Sequence, residues 1–261
     1  MRRLFVLLQP LAGLLLMFSI GTANADDRLP GEAGLVVDIT NSGGLIVELE
    51  DGDRLNVRLA GIRQPDEGQP GYAQAHARLQ ALARDQFVEL SYQDEIQRDR
   101  YERAIAYVAL ENSSDLAMQL VREGWAIVYS GLNARLEIET VLALENDARN
   151  ASLGLWGDPS FAIQSADPNV LALHLESVQI VEGRIISAAD TRERLYLNFG
   201  FDYRSDFTVS IERSAVSRFE EAGIDLTDLQ DMRVRVRGWL HRRNGPMISI
   251  DHPERLEILG P

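Results

Sequence analysis

Two arginines five residues apart, Arg58 and Arg63 in "VRLAGIRQPDE", flank the end of a short apolar run made by Val57, Leu59 and Ile62. Two acids, Asp66 and Glu67, follow directly after Pro65. A second basic stretch, "RDRYER", sets Arg100, Tyr101 and Arg103 side by side. Every one of the 26 cationic residues is Arg and none is Lys. Each cation is therefore a planar fork that can hold a phosphate or a carboxylate through two parallel hydrogen bonds. Other chemistries are poorly supplied. The four histidines, His76, His174, His241 and His252, are far apart and never four residues from one another, so no histidine metal centre is expected. The absence of cysteine removes disulfides and thiolate metal sites. Neither a phosphate-cradling glycine loop nor a Gly-x-Ser-x-Gly elbow occurs.

The elements that must position these arginines are legible in the hydropathy pattern. "GLVVDIT", "GLIVELE" and "RLNVRLAGI" are short β-branched runs joined by the turns "NSGG" and "EDGD", which predicts three consecutive antiparallel strands. A Pro- and Gly-rich loop leads to a helix in which Tyr72, Ala75, Leu79 and Leu82 recur with helical spacing. "FVELSY" and "AIAYVAL" read as two further strands enclosing "RDRYER". "SSDLAMQLVREGW" reads as a helix started by Ser113 or Ser114 and stopped by Gly124, and "LEIETVLALENDARNASLGLWGD" as a third helix. Five strands with one inserted helix and two following ones suggest a small β-barrel with helices on one side.

Residues 159–175 read as a polar, turn-rich linker, and residues 176–261 as a second β-rich unit. Its order of three strands, a helix and two strands is that of an OB barrel, a scaffold that often holds oligonucleotides. In its "RVRVRGWLHRR" strand, Arg233, Arg235 and Arg237 share one face by period-two alternation. With Tyr196, Phe199 and Tyr203 nearby, that face is a candidate single-strand groove, its other reading being a solvated face paired with acids.

At the start of the chain, Arg2 and Arg3 precede an apolar stretch from Leu4 to Ile20 and a small-residue "ANA" ending at Ala25. That layout predicts a signal peptide over residues 1–25 and a periplasmic or secreted product with no stable membrane span after its removal. The formal net charge of −14 argues against tight nonspecific duplex binding, so any nucleic-acid contact has to come from locally organised arginines.

Residues 34–158 resemble the thermonuclease (staphylococcal-nuclease-like) family through four stretches in order: "VRLAGIRQPDE", "RDRYERAIAYV", "LAMQLVREGWAIVY" and "ENDARNASLGLW". The resemblance implies an OB-type five-stranded barrel with three helices, and phosphodiester hydrolysis in DNA or RNA with one Ca2+ ion. With the second unit, the expected fold is mainly β with α (α+β): that barrel, followed by an OB-like β-barrel domain. The resemblance places Arg58 and Arg103 on the scissile phosphate, and Asp66 where the family has its catalytic glutamate, with Glu67 beside it able to reach instead. Arg100 and Tyr101 fall near the nucleotide, and Tyr129 near a nucleotide-stacking tyrosine. A phosphodiester anion repels an attacking hydroxide, which is why forked cations are needed there.

The metal ligands depart from the family pattern. The third-strand aspartate falls on Arg63, and the first-hairpin aspartate on Gly44, or on Ser42 or Gly43 if the register slips. At an effective dielectric near 20, one cation about 4 Å from another costs roughly 4 kcal/mol, before the lost ligands are counted. The expectation is no metal ligand set, with Arg63 standing in the ion's electrostatic place beside Arg58 and Arg103. The function expected is binding, and impaired hydrolysis, of nucleic acid. The partner is DNA or RNA, single-stranded favoured, or another polyanion. The alternatives are an active divergent Ca2+-dependent nuclease using acids such as Asp38, Glu48 or Asp53, and a noncatalytic envelope protein with a protein partner.

Overall fold

The computed structural model describes residues 28–95, 98–131, 134–135 and 137–261; the expected signal segment lies outside them. The first unit begins with the meander β1 (Leu29–Ile39), β2 (Leu45–Leu49) and β3 (Arg54–Leu59). Alternation sets its register: Val36 pairs with Val47 and Leu45 with Val57, all four fully buried. After β4 (Ile62–Arg63) and α1 (Tyr72–Ala83) come β5 (Phe87–Tyr92) and β6 (Ala104–Leu110). The barrel closes in the order β1-β2-β3-β6-β5, with β3 parallel to β6. Helix α2 (Leu116–Arg122), strand β7 (Ile127–Val128) and helix α3 (Ile138–Asn150) cover one side. Leu79, Leu116, Leu120 and Val128 complete the core beneath them. The cap of α2 is Asp115, which accepts the Met118 amide at 2.9 Å, rather than either preceding serine.

After a short 3-10 turn at the end of the first unit, Gly154–Gly157, the segment read as a linker holds a second, Pro159–Phe161, which leads into β8 (Gln164–Ser165) and α4 (Pro168–Leu171). Leu171 is fully buried in the second core, so this stretch is built into the second unit. Next come β9 (Ser177–Arg184), β10 (Ser187–Asp190), β11 (Arg194–Asn198), β12 (Thr208–Glu212) and α5 (Arg213–Glu221). Strands β13 (Arg233–Arg243), β14 (Gly245–Ile250) and β15 (Leu256–Gly260) close the chain. The sheet runs β10-β11-β12-β14-β13-β9-β8, again with a parallel pair, β12 and β14. Its two sides are joined through one interrupted strand. The Ile185 amide bonds Met232 on the β13 side, and the Ile186 amide bonds Asn198 on the β11 side. The chain is therefore mainly β with α, a closed five-stranded barrel followed by a second, curled sheet of the same strand order. Among the described residues no helix is long and apolar enough to cross a membrane.

The two units meet through polar groups as well as apolar ones. Ser130, just past β7, has its Oγ 2.8 Å from His252 Nε2, and His252 Nδ1 is 2.7 Å from Asp251 Oδ1. This serine–histidine–aspartate relay is a structural joint: Ser130 and His252 are both 0% exposed, out of reach of any substrate. Arg255 donates to the Ser130 carbonyl at 2.8 Å from Nη2 and 3.2 Å from Nε.

Candidate functional site

Backbone pairing brings the arginines to one end of the first barrel. Arg58 on β3 lies opposite Ile105 in the parallel ladder with β6, which puts Arg103, two residues earlier, beside it. The chain turns at Gly61, which has a φ of 73°, and β4 then pairs Arg63 with Ile127 of β7. Tyr129 follows β7, its amide bonded to the Gly61 carbonyl at 2.8 Å. Three guanidinium groups and one phenol thus converge from four separate segments.

Arg58 is half-buried and has no hydrogen-bond or ion-pair partner among the described residues. Burial and the neighbouring Arg103, partly offset by Asp99, and then Arg63, hold its guanidinium below the usual arginine range. Arg103 is committed to Asp99 through Nε at 2.8 Å and Nη2 at 2.7 Å, while its Nη1 donates to Ser42 Oγ at 3.1 Å. Arg63 is ion-paired with Asp66 and stands 6.0 Å from the Tyr129 ring centre. Arg255 of the second unit lies over the same ring at 4.6 Å, bringing a cation from 126 residues away in sequence. Tyr101 is exposed at the rim, with Arg100 at 4.8 Å and Arg103 at 5.4 Å from its ring centre. Arg58, Arg63, Arg103 and Tyr129 are thus brought together, and Arg100 and Tyr101 line the outer edge.

Asp99 is the member that the sequence reading left out, although its place at the head of "DRYER" is the signature of an Asx turn. Its Oδ1 accepts the amides of Tyr101 (2.9 Å) and Arg103 (3.1 Å), shaping the loop that presents Arg103. The loop also forces Glu102 to a φ of 59°, a left-handed conformation costing about 1 kcal/mol for a non-glycine residue. Burial pushes the Asp99 carboxyl up, but the Arg103 side chain and the two amides outweigh it and hold it below the ordinary aspartate range. A depressed folded-state pKa contributes stability that is complete above the unfolded value, 3.8, and is lost as pH falls through the lower folded value. Denaturant titrations at descending pH are therefore expected to show an acid-side loss of stability below about pH 4 that Asp99→Asn reduces. An unchanged slope in Asp99→Asn would contradict this assignment.

The residues here do not fit a calcium ion, which takes six to eight oxygen ligands. No three acidic or histidine side chains converge among the described residues. A Cβ on Gly44 would stand 3.0 Å from both Asn56 Oδ1 and Thr40 Oγ1, so that position offers neither a carboxylate nor ready space for one. Asp66 is engaged by Arg63, and Glu67 accepts from Asn41 Nδ2 at 3.3 Å. Asp38 pairs with Arg84 and Glu48 with Arg54, and Asp53 belongs to the β2–β3 turn. None of these three acids is among the charges acting on Arg58.

The basic face of β13 is not a groove for nucleic acid. Arg233 and Arg235 both pair with Glu182 (2.5 and 2.9 Å), and Arg235 also reaches Glu257 at 3.2 Å. Arg237 is 1% exposed, bonded to Glu257 at 2.6 Å and to both oxygens of Glu145 on α3 at 3.0 and 3.1 Å. Alternation correctly put the three on one face, but the first unit covers Arg237, and acids of the neighbouring strands pair with Arg233 and Arg235. Phe199 packs against Phe207, with ring centres 4.8 Å apart and the rings tilted by 50°.

A model of the staphylococcal nuclease homologue family matches residues 56–158. An uncharacterized endonuclease of Escherichia coli O157:H7 is 30% identical over 125 residues, covering 44% of this chain and 77% of its own. A protein ParB of Escherichia coli is 31% identical over 166 residues, covering 60% of this chain and 88% of its own. A micrococcal nuclease of Shigella flexneri is 31% identical over 136 residues, with coverages of 45% and 75%.

Proposed function

Because the chain belongs to the staphylococcal nuclease family, a family of nucleic-acid hydrolases, we propose that it is an exported member whose arginine cleft binds a phosphodiester of single-stranded nucleic acid while calcium-dependent hydrolysis is impaired. One observation carries the reading: Arg58 is half-buried, without a hydrogen-bond or ion-pair partner among the described residues, and flanked by Arg63 and Arg103. A guanidinium held in that state is stabilised by an anion and by little else. Arg58 and the outward edge of Arg103 hold the phosphate oxygens, and Arg63 adds charge from β4. Tyr101, Tyr129 and Arg100 offer stacking and a second cationic contact to the flanking nucleotides, a combination suited to single strands.

The same groups argue against efficient hydrolysis. Asp66, the candidate base, is ion-paired through Oδ2 with Arg63, a cation that competes with water for its carboxylate. The acids present do not make a calcium set, and Arg63 occupies the position where the family carries a ligand. The apolar segment from Leu4 to Ile20 with its "ANA" boundary supports export to the periplasm or medium. Assays of the purified protein on single- and double-stranded DNA and RNA, with Ca2+, Mg2+, Mn2+ or EDTA, test the reading. The expected result is oligonucleotide binding with cleavage slow or absent and not restored by calcium. Robust calcium-dependent cleavage that Arg58→Ala abolishes would sink it and favour the active divergent nuclease.

A further inference from the structure

Next to Arg63 a pocket of about 180 Å3 opens between the two units, walled by Pro65 and Ile127 of the first and by Val178 and Ile180 of the second. No carboxylate lines it, in a chain that carries 40 acids, so it is not built for a cation or an amine. It is smaller than the roughly 300–1,000 Å3 of pockets that enclose drug-sized ligands. Phe161, half-buried on the 3-10 turn after the first unit, supplies one flat aromatic surface. Gln179 and His174 supply polar groups able to meet a ring edge. The Gln179 amide donates to Ser177 Oγ at 2.9 Å, and that hydroxyl donates to the His174 carbonyl at 2.6 Å. This chain fixes the amide and leaves its carbonyl oxygen, like the His174 ring nitrogens, without a partner among the described residues.

A slot lined about equally by polar and apolar side chains, with one aromatic residue, a fixed amide and a guanidinium at its mouth, matches a heteroaromatic ring attached to a phosphate. We infer that this pocket is a nucleobase subsite, receiving the base of a nucleotide whose phosphate rests on the Arg58–Arg63–Arg103 cleft. The inference rests on the phosphodiester-binding reading of that cleft. It gives the second unit a role in recognition: His174, Val178, Gln179 and Ile180 come from the C-terminal part of the chain, so the subsite exists only where the two units are joined. Phosphate contacts position the strand, and the pocket holds one base out of the stack.

Fluorescence anisotropy separates the two ideas. A labelled short oligothymidylate is compared with oligomers of the same length carrying one abasic tetrahydrofuran unit, moved through each position in turn. Wild type is expected to bind the intact oligomer about tenfold more tightly than the oligomer whose abasic unit falls in the pocket, as base–aromatic stacking predicts. Phe161→Ala should lose that discrimination and bind both at the abasic level. Phe161→Leu, which keeps apolar volume at the joint but no flat ring, should do the same while retaining the wild-type melting temperature. Arg58→Ala should weaken every oligomer alike. Binding that depends on Arg58 but is indifferent to the abasic unit and to Phe161 would overturn the subsite and leave the cleft standing. Binding indifferent to Arg58, or no binding at all, would overturn both.

Discussion

Replacing Arg237 by Ala is expected to destabilise the protein by about 3–5 kcal/mol, the range found when one partner of a buried ion pair is removed. Glu145 is 1% exposed and relies on Arg237 for two of its hydrogen bonds, the Val128 amide supplying another at 2.6 Å. Arg149, the remaining cation near it, is 3.7 Å away. Without Arg237 a carboxylate stays sealed between the barrels with inadequate compensation. The Val128 carbonyl, which accepts from Arg237 at 3.0 Å, loses a partner as well. Burial disfavours the charged form of Arg237, but Glu145 and Glu257 together outweigh it and keep the guanidinium protonated. Because the pair joins α3 of one barrel to β13 of the other, the loss should appear as separate unfolding of the two units where wild type unfolds together. Urea denaturation followed by fluorescence and by far-UV circular dichroism checks this. Coincident transitions in Arg237→Ala, with a midpoint near wild type, would contradict the assignment. The double variant Glu145→Leu/Arg237→Met should cost less than Arg237→Ala alone, because it removes the charge along with its partner.

That pair also marks where sequence reading stops. The strands β1, β2 and β3 were visible because alternation is local and the turns "NSGG" and "EDGD" punctuate it. Both barrels follow one strand order, and a helix between the third and fourth strands announces it. Glu145 and Arg237 are 92 positions apart, and nothing local distinguishes Arg237 from Arg233 on the same strand face. Only the covering first barrel makes one of them buried and the other exposed. The cleft was legible to a different degree. Arg58, Arg63 and Arg103 stand out by residue type, and the resemblance assigns them to one phosphate, but their convergence depends on the β3–β6 and β4–β7 pairings. Asp99 has a readable local cue in its loop, the Asx turn that presents Arg103. Arg255 had none, because its approach to Tyr129 is made by the contact between the two units.

Arg58→Ala is expected to lower single-stranded oligonucleotide affinity by about 10- to 100-fold, the worth of charge-assisted hydrogen bonds to one phosphate. The slope of log affinity against log salt should become shallower by about 0.7, since one fewer counterion-releasing contact is made to a single strand. Folding stability should move by only about 0.5 kcal/mol, because no group among the described residues pairs with Arg58 and its removal relieves repulsion from Arg103 and Arg63. Arg103→Ala provides the contrast. It leaves Asp99, with 11% of its side chain exposed, without its cation, so it should lose stability along with affinity. Arg58→Lys should restore the salt slope but not the full affinity, because an ammonium keeps the charge and loses the fork. An Arg58→Ala protein with wild-type affinity and slope would mean that the three guanidinium groups do not hold phosphate. A half-buried arginine without a partner, beside two like charges, would then have no binding role to offset the cost of keeping it there.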